Sequence, residues 1–150
     1  NRTLHAQLTL SDGRVVVAGG ADGNLLTQTF FSLSSVFVFN PASNSWSAGG
    51  SLLQSRAFHG LHELEGGQVL CVGGLASVDV ISLSGSAAQG LEFAPLSIAS
   101  WTQPSSLQKV RAGLQSTVID GGDRVLLIGA PADPLGGLAV GDLSAETVQR

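Results

Sequence analysis

The chain has 150 residues, 43% of them hydrophobic and 12% charged, with 20 glycines and a net charge of −4. This is the length of one ordinary domain with ample material for a core, which excludes a disordered chain. Its basic residues (Arg2, Arg14, Arg56, Lys109, Arg111, Arg124 and Arg150) are scattered rather than gathered in a phosphate-tracking tract, and no apolar run reaches the length of a membrane span, so neither nucleic acid nor a membrane-spanning segment is expected.

Short apolar runs punctuated by turn residues predict strands from the start of the chain. LHAQLTL (4–10) and RVVVAGG (14–20) flank Ser11-Asp12-Gly13, a hairpin signal. SSVFVFN (34–40) precedes the turn Asn40-Pro41-Ala42-Ser43-Asn44, where Pro41 cannot continue a central strand, and a short strand around SWSAG (45–49) follows. The next run reads FHGLHEL (58–64), QVLCVGG (68–74), SVDVISL (77–83) and a strand near Trp101. The last reads GLQSTVID (113–120), RVLLIGA (124–130), GLAVGDL (137–143) and ETVQ (146–149). The segments 21–34 and 84–97, small and polar, read as long loops able to carry contacts. The opening NRTLHAQL does not read as a signal peptide, although a mature chain would have lost one.

These strands repeat. Gly19-Gly20 returns 54 residues on as Gly73-Gly74 and again as Gly129-Ala130; Arg2 returns as Arg56 and Arg111, His5 as His59 and then Leu114, and Trp46 as Trp101. Aligning GLAVGDLSAETV (137–148) on SVFVFNPASNSW (35–46) sets Val148 on Trp46. Three units result, about 1–52, 53–108 and 109–150. A glycine pair at a strand end permits close backbone approach and positive φ, and the two tryptophans are expected to fill the space between neighbouring sheets, each with a partner for its N–H.

The register of arginine, glycine pair and tryptophan resembles the kelch repeat. The match is carried by Asp12-Gly13-Arg14-Val15 through Gly19-Gly20, Val36-Phe37-Val38-Phe39-Asn40-Pro41 and Trp46, and by Arg56, His59, Leu64-Glu65-Gly66-Gly67-Gln68-Val69-Leu70-Cys71-Val72-Gly73-Gly74, Val78-Asp79-Val80 and Trp101. The resemblance spans essentially the whole chain. It implies an all-β fold of three four-stranded blades, part of a β-propeller that would be six- or seven-bladed when complete. Propellers close with four to eight blades, so three blades need further blades from the same chain or from another copy.

The chemistry-bearing residues are sparse. Cys71 stands alone in a strand and reads as a small buried hydrophobe. Kelch-type copper radical oxidases need tyrosine, and this chain has none. His5 and His59 share a repeat position, which suggests scaffolding, while His62 falls on the opposite strand face from His59, so no metal site and no cofactor is expected. There is no G-x-S-x-G elbow and no phosphate-cradling lysine, and Asp12, Asp22, Asp120, Asp123 and Asp133 sit in turn contexts. Arg2, Arg56 and Arg111 open the three units. The resemblance implies that they line the mouth of a central channel and meet carboxylates of a ligand; the alternative is that they tie one unit to the next through loop carbonyls. The expected function is a non-catalytic binding or assembly module for a protein, peptide or glycan. A sugar-processing, mutarotase-like propeller enzyme and a structural array in a surface assembly are the alternatives. The composition suits an extracellular or cell-surface setting, with a cytoplasmic one as the alternative.

Overall fold

The computed structural model describes residues 1–24, 29–77, 86–108, 115–129 and 144–149. Among them the chain is all-β and antiparallel, with one turn of 3-10 helix at Asp120–Gly122. In chain order the first strands are β1 (Ala6–Thr9), β2 (Val15–Ala18), β3 (Ala21–Asn24), β4 (Thr29–Ser32), β5 (Val36–Asn40) and β6 (Ser45–Ala48). Next come β7 (Gly60–Leu64), β8 (Gln68–Val72), β9 (Gly90–Pro95) and β10 (Thr102–Ser106), and finally β11 (Gln115–Ile119), β12 (Arg124–Gly129) and β13 (Ser144–Gln149). The first sheet has the order β1-β2-β5-β6, the second β7-β8-β9-β10 and the third β11-β12-β13, while β3 and β4 pair as a separate hairpin.

Local chemistry sets these elements. The β1–β2 turn closes with a bond from the Gly13 N–H to the Leu10 carbonyl, 2.9 Å, and needs Gly13 at φ 86°. The Asp12 carboxylate fixes the exit by accepting from the Arg14 N–H at 3.0 Å and its Nε at 2.8 Å. After β5 the Asn40 side chain accepts from the Ala42 N–H at 2.9 Å, an Asx turn that lets Pro41 end the strand.

The sheets stack face to face with the second in the middle. Leu10, Val16, Ala18, Val36, Val38 and Leu52 of the first unit pack against Leu61, Val69, Cys71, Ala94, Ile98 and Trp101 of the second. The opposite face of the second sheet (Leu64, Leu70, Val72, Leu91, Phe93) meets Val125, Leu127 and Val148 of the third. Hence four successive residues of β8, Val69 to Val72, are all buried: alternate side chains serve two cores. The first strands converge, β1 beside β7 and β7 beside β11. Ser11 binds the Glu63 carboxylate through its N–H and hydroxyl, at 2.7 and 2.6 Å, and His62 Nε2 lies 2.7 Å from the Ser116 hydroxyl. At the far edge, every residue of β6 and β10 is exposed.

Three sequence expectations change. The third strand of the second sheet is Gly90–Pro95, not SVDVISL; β9 pairs with β8 as Val69↔Ala94, Leu70↔Phe93 and Cys71↔Glu92, while 78–83 lies outside the described residues. The segment 84–97 is thus no polar loop but holds a buried strand, and 21–34 holds the β3–β4 hairpin. Val148 pairs with Val125 in the strand next to β12, so it stands where Phe39 and Ala94 stand rather than on Trp46. The segment GLAVGDL and Arg111 lie outside the described residues.

The tryptophans part company. Trp101 is 5% exposed between the first and second sheets, its indole N–H buried with no acceptor among the described residues. Trp46, at the same repeat position, is 58% exposed and leans on Phe39 with ring centroids 5.1 Å apart.

Candidate functional site

Every strand that ends in a glycine pair ends at one end of the stack, and the unit-opening segments lie against those ends. Thr3 bridges Ala21 and Ala57 bridges Leu75. Gly20 and Gly74 adopt φ 99° and 94°, and a Cβ at either would strike the carbonyl of its own unit, Thr3 O at 2.5 Å or Ala57 O at 2.6 Å. A Cβ on Gly19 would strike the neighbouring unit instead, at the Arg56 carbonyl (2.5 Å) and the His59 ring (2.6 Å). In the pair Gly19-Gly20, Gly20 therefore admits the unit's own entry segment and Gly19 admits the next unit's. Leu4 and Phe58, 54 positions apart, both hold a left-handed backbone at φ 56°, and the Phe58 N–H donates to the Leu4 carbonyl at 3.1 Å.

The opening arginines sit at this end in equivalent frames. Arg56 is fully buried: its Nη1 donates to the Gly73 carbonyl at 3.0 Å, its Nη2 to the Gly90 carbonyl at 2.6 Å, and Nε and Nη2 both donate to Glu92 Oε1, at 3.1 and 2.8 Å. Glu92 is equally buried, and its two oxygens accept the N–H groups of Leu53 (2.6 Å) and Gln54 (3.0 Å), the chain arriving from the first sheet. Arg2 repeats the carbonyl contacts, on Gly19 and on Ser35 at 3.0 Å, and adds the Ser35 hydroxyl at 2.6 Å. Where Glu92 stands in the second sheet the first has Phe37, and the Arg2 guanidinium lies over that ring, 5.2 Å from its centroid. Partial burial draws the Arg2 pKa below its usual value, against the opposing pull of Asp22.

The sequence brought forward two readings for these arginines; the Arg56 side chain is closed off from solvent and its partners Gly73, Gly90 and Glu92 all belong to its own unit, while its backbone makes the contact with the first unit, the N–H donating to the Leu33 carbonyl at 3.0 Å and the carbonyl accepting from the Gly20 N–H at 2.6 Å. The Arg2 side chain is likewise held within its own unit, half-open to solvent, and Arg111 lies outside the described residues. Glu92 was not singled out in the sequence. Its signal was a lone carboxylate in the otherwise apolar run GLEFAP, which needs a buried cation.

His59 is buried beside Gly19, and its pKa is pushed down to about 3, first by burial and then by the Arg56 charge, outweighing the opposing backbone contact at Ala18. It is a neutral packing imidazole at neutral pH. His62, also lowered by burial, is a polar tie to the third sheet. Among the described residues no three His, Cys, Asp or Glu gather as metal ligands would.

Beside the exposed Asn1, Thr3 and His5, this end offers large aromatic side chains to solvent. Phe31, on the β3–β4 hairpin, is 56% exposed and Phe58 38%. The hairpin arches toward the second unit, with the Ser32 hydroxyl donating to the Leu75 carbonyl at 3.0 Å, and Leu75 bridges Ala57 next to Phe58.

No protein-family model matches this chain, and no curated protein matches it in sequence. Among solved structures its fold is similar to the one titled "Structure of YjhT", with a TM-score of 0.66 at 19% identity, over 85% of this chain and 44% of that one. At such identity the likeness establishes the fold alone, an all-β arrangement of antiparallel sheets, and this chain spans less than half the length of that neighbour.

Proposed function

We propose that the chain is a run of three kelch-type propeller blades that binds a protein, peptide or glycan without transforming it. The observation that carries this reading is the division of labour at the glycine-pair end. Arg56 and Glu92 are sealed in a buried ion pair and His59 is buried against the first unit, while Phe31 and Phe58 are large hydrophobic side chains left open there. Exposed aromatic faces at a sheet end suit stacking on a sugar ring or burial of a peptide side chain. The low charge and single cysteine suit an extracellular or cell-surface setting.

The test is a glycan array and a peptide-library pull-down with the whole chain, each repeated with Phe31→Ala and Phe58→Ala. Retained folding with lost capture supports the reading. Undiminished capture by both variants sinks it, as does sugar anomerisation above the buffer rate, which would make the module an enzyme.

A further inference from the structure

The sequence contains three Asp-Gly pairs, Asp12-Gly13, Asp22-Gly23 and Asp120-Gly121. An aspartate before glycine can lose water between its own carboxyl group and the next backbone nitrogen, because glycine has no Cβ to crowd that nitrogen. Ring closure needs a carboxyl group that can take up a proton and a nitrogen that is not held elsewhere. At Asp12-Gly13 the fold withholds both. The Asp12 carboxylate accepts from the Arg14 Nε at 2.8 Å and from the Arg14 N–H at 3.0 Å, which holds its pKa below the usual value, and the Gly13 N–H donates to the Leu10 carbonyl. The Asp120 carboxylate is likewise paired with the Arg124 guanidinium.

Asp22-Gly23 is built differently. It lies in β3, where Ala21 exchanges both backbone bonds with Thr3, at 2.9 and 2.7 Å. Alternation then turns the backbone groups of Asp22 toward β4 and those of Gly23 away from it. The Gly23 N–H takes no part in the β3–β4 ladder and donates instead to Asp22 Oδ1 at 2.8 Å, so the nitrogen and the carboxyl group of one prospective ring stand in contact. Among the described residues no arginine donates to Asp22: Arg2 acts on it only through space, and the fully exposed Asn1 nitrogen stands 3.7 Å from Oδ2. Gly23 itself is exposed.

We propose that Asp22-Gly23 is a modification site at which isoaspartate forms without an enzyme. The Gly23 nitrogen bonds to Asp22 Cγ and gives up its proton, the carboxyl hydroxyl leaves with a proton as water, and a five-membered succinimide results. Water then adds to one ring carbonyl. Addition at Cγ breaks its bond to the nitrogen and restores aspartate; addition at the α-carbonyl breaks the other bond, the nitrogen takes up a proton, and the main chain runs on through the Asp22 side chain. Extended backbone keeps the nitrogen from reaching Cγ, so ring closure follows opening of the hairpin. β3 pairs in register with β4 alone in a two-stranded sheet, and such a ribbon is marginal by itself. The isomer adds a backbone carbon directly opposite Phe31, which shifts the register beyond it and with it the seat of that ring. None of this depends on what the module binds.

The experiment incubates the whole chain at neutral pH and physiological temperature over several weeks. Electron-transfer fragmentation locates isoaspartate, and methyl transfer from S-adenosylmethionine by an isoaspartyl methyltransferase counts it. The expected result is isoaspartate at position 22, in several-fold excess over positions 12 and 120. In urea, where the arginine contacts and the hairpin are lost, the three sites converge. The φ of Gly23 lies outside the left-handed region, so Gly23→Val keeps the strand, and its branched side chain crowds the nitrogen and slows the reaction several-fold. Asp22→Glu abolishes it, because the six-membered ring closes far more slowly. Circular dichroism checks that both variants fold, and the comparison of the three sites in the unaltered chain stands without them. Isoaspartate at position 12 or 120 of the folded chain that matches position 22 overturns the inference. So does its absence at position 22, or a folded Gly23→Val chain that isomerises at the wild-type rate.

Discussion

Arg56→Ala is the sharpest test of the buried Arg56–Glu92 pair. The substitution leaves the Glu92 carboxylate buried with only the Leu53 and Gln54 N–H groups, and strips a donor from the Gly73 and Gly90 carbonyls. Breaking a buried ion pair from one side destabilises by about 3–5 kcal/mol, a large part of the roughly 5–15 kcal/mol that holds an ordinary domain. Arg2→Ala removes a half-open guanidinium that stands over Phe37 rather than on a carboxylate, so its expected effect is near 1 kcal/mol, about one net hydrogen bond or cation–π contact. Urea unfolding followed by circular dichroism reads both. The double variant Arg56→Met/Glu92→Leu, which replaces the pair by apolar groups of similar volume, recovers most of the loss. An Arg56→Ala chain within about 1 kcal/mol of wild type would refute the argument, since the pair would then have to be solvated. If that same chain lost ligand capture, Arg56 would be a binding residue after all.

The remaining expectations are narrower. The folded-state pKa of His59 lies below its unfolded value, so its contribution is complete above pH about 6.5 and is lost as pH falls towards 3. Linkage puts the loss between pH 7 and pH 5 at roughly 2 kcal/mol, and His59→Phe should flatten that part of the stability profile; parallel profiles would contradict it. Gly74→Ala sets a Cβ 2.6 Å from the Ala57 carbonyl at φ 94°, whereas Gly13→Ala, at φ 86°, meets nothing within 4 Å. Thermal unfolding should therefore show Gly74→Ala losing about 2–3 kcal/mol and Gly13→Ala about 1, and equal losses would remove close approach as the reason for the pair. The Cys71 thiol is fully buried and its pKa is pushed up to about 12 by burial, so iodoacetamide should label it only in denaturant, as mass spectrometry would reveal.

Much of the fold could be read from the chain because the repeat is carried by backbone-demanding residues. Gly19-Gly20 and Gly73-Gly74 mark strand ends at which no side chain fits, and Val15–Ala18 lies between two such signals. The third strand of the second sheet was misplaced for a physical reason. SVDVISL has the alternation and β-branching of a strand, whereas GLEFAP carries a charge at its centre and a proline at its end, and only the cation at Arg56 makes Glu92 tolerable there. Trp46 and Trp101 were indistinguishable in sequence because what separates them is the neighbour, not the residue. The candidate site was legible only in part: Arg2 and Arg56 were located, but their role follows from donors that point inward, and Phe31 and Phe58 carried no signal beyond being aromatic.

In the pair Gly19-Gly20 the second residue answers to its own unit and the first to the unit after it. A repeat built this way brings its own closure and a standard socket for whatever follows. Gene duplication can then lengthen or shorten such an array by whole cassettes, with no compensating change in the copies already present, and the swap of Glu92 for Phe37 beside the two arginines records that each cassette is free to drift once its socket is kept.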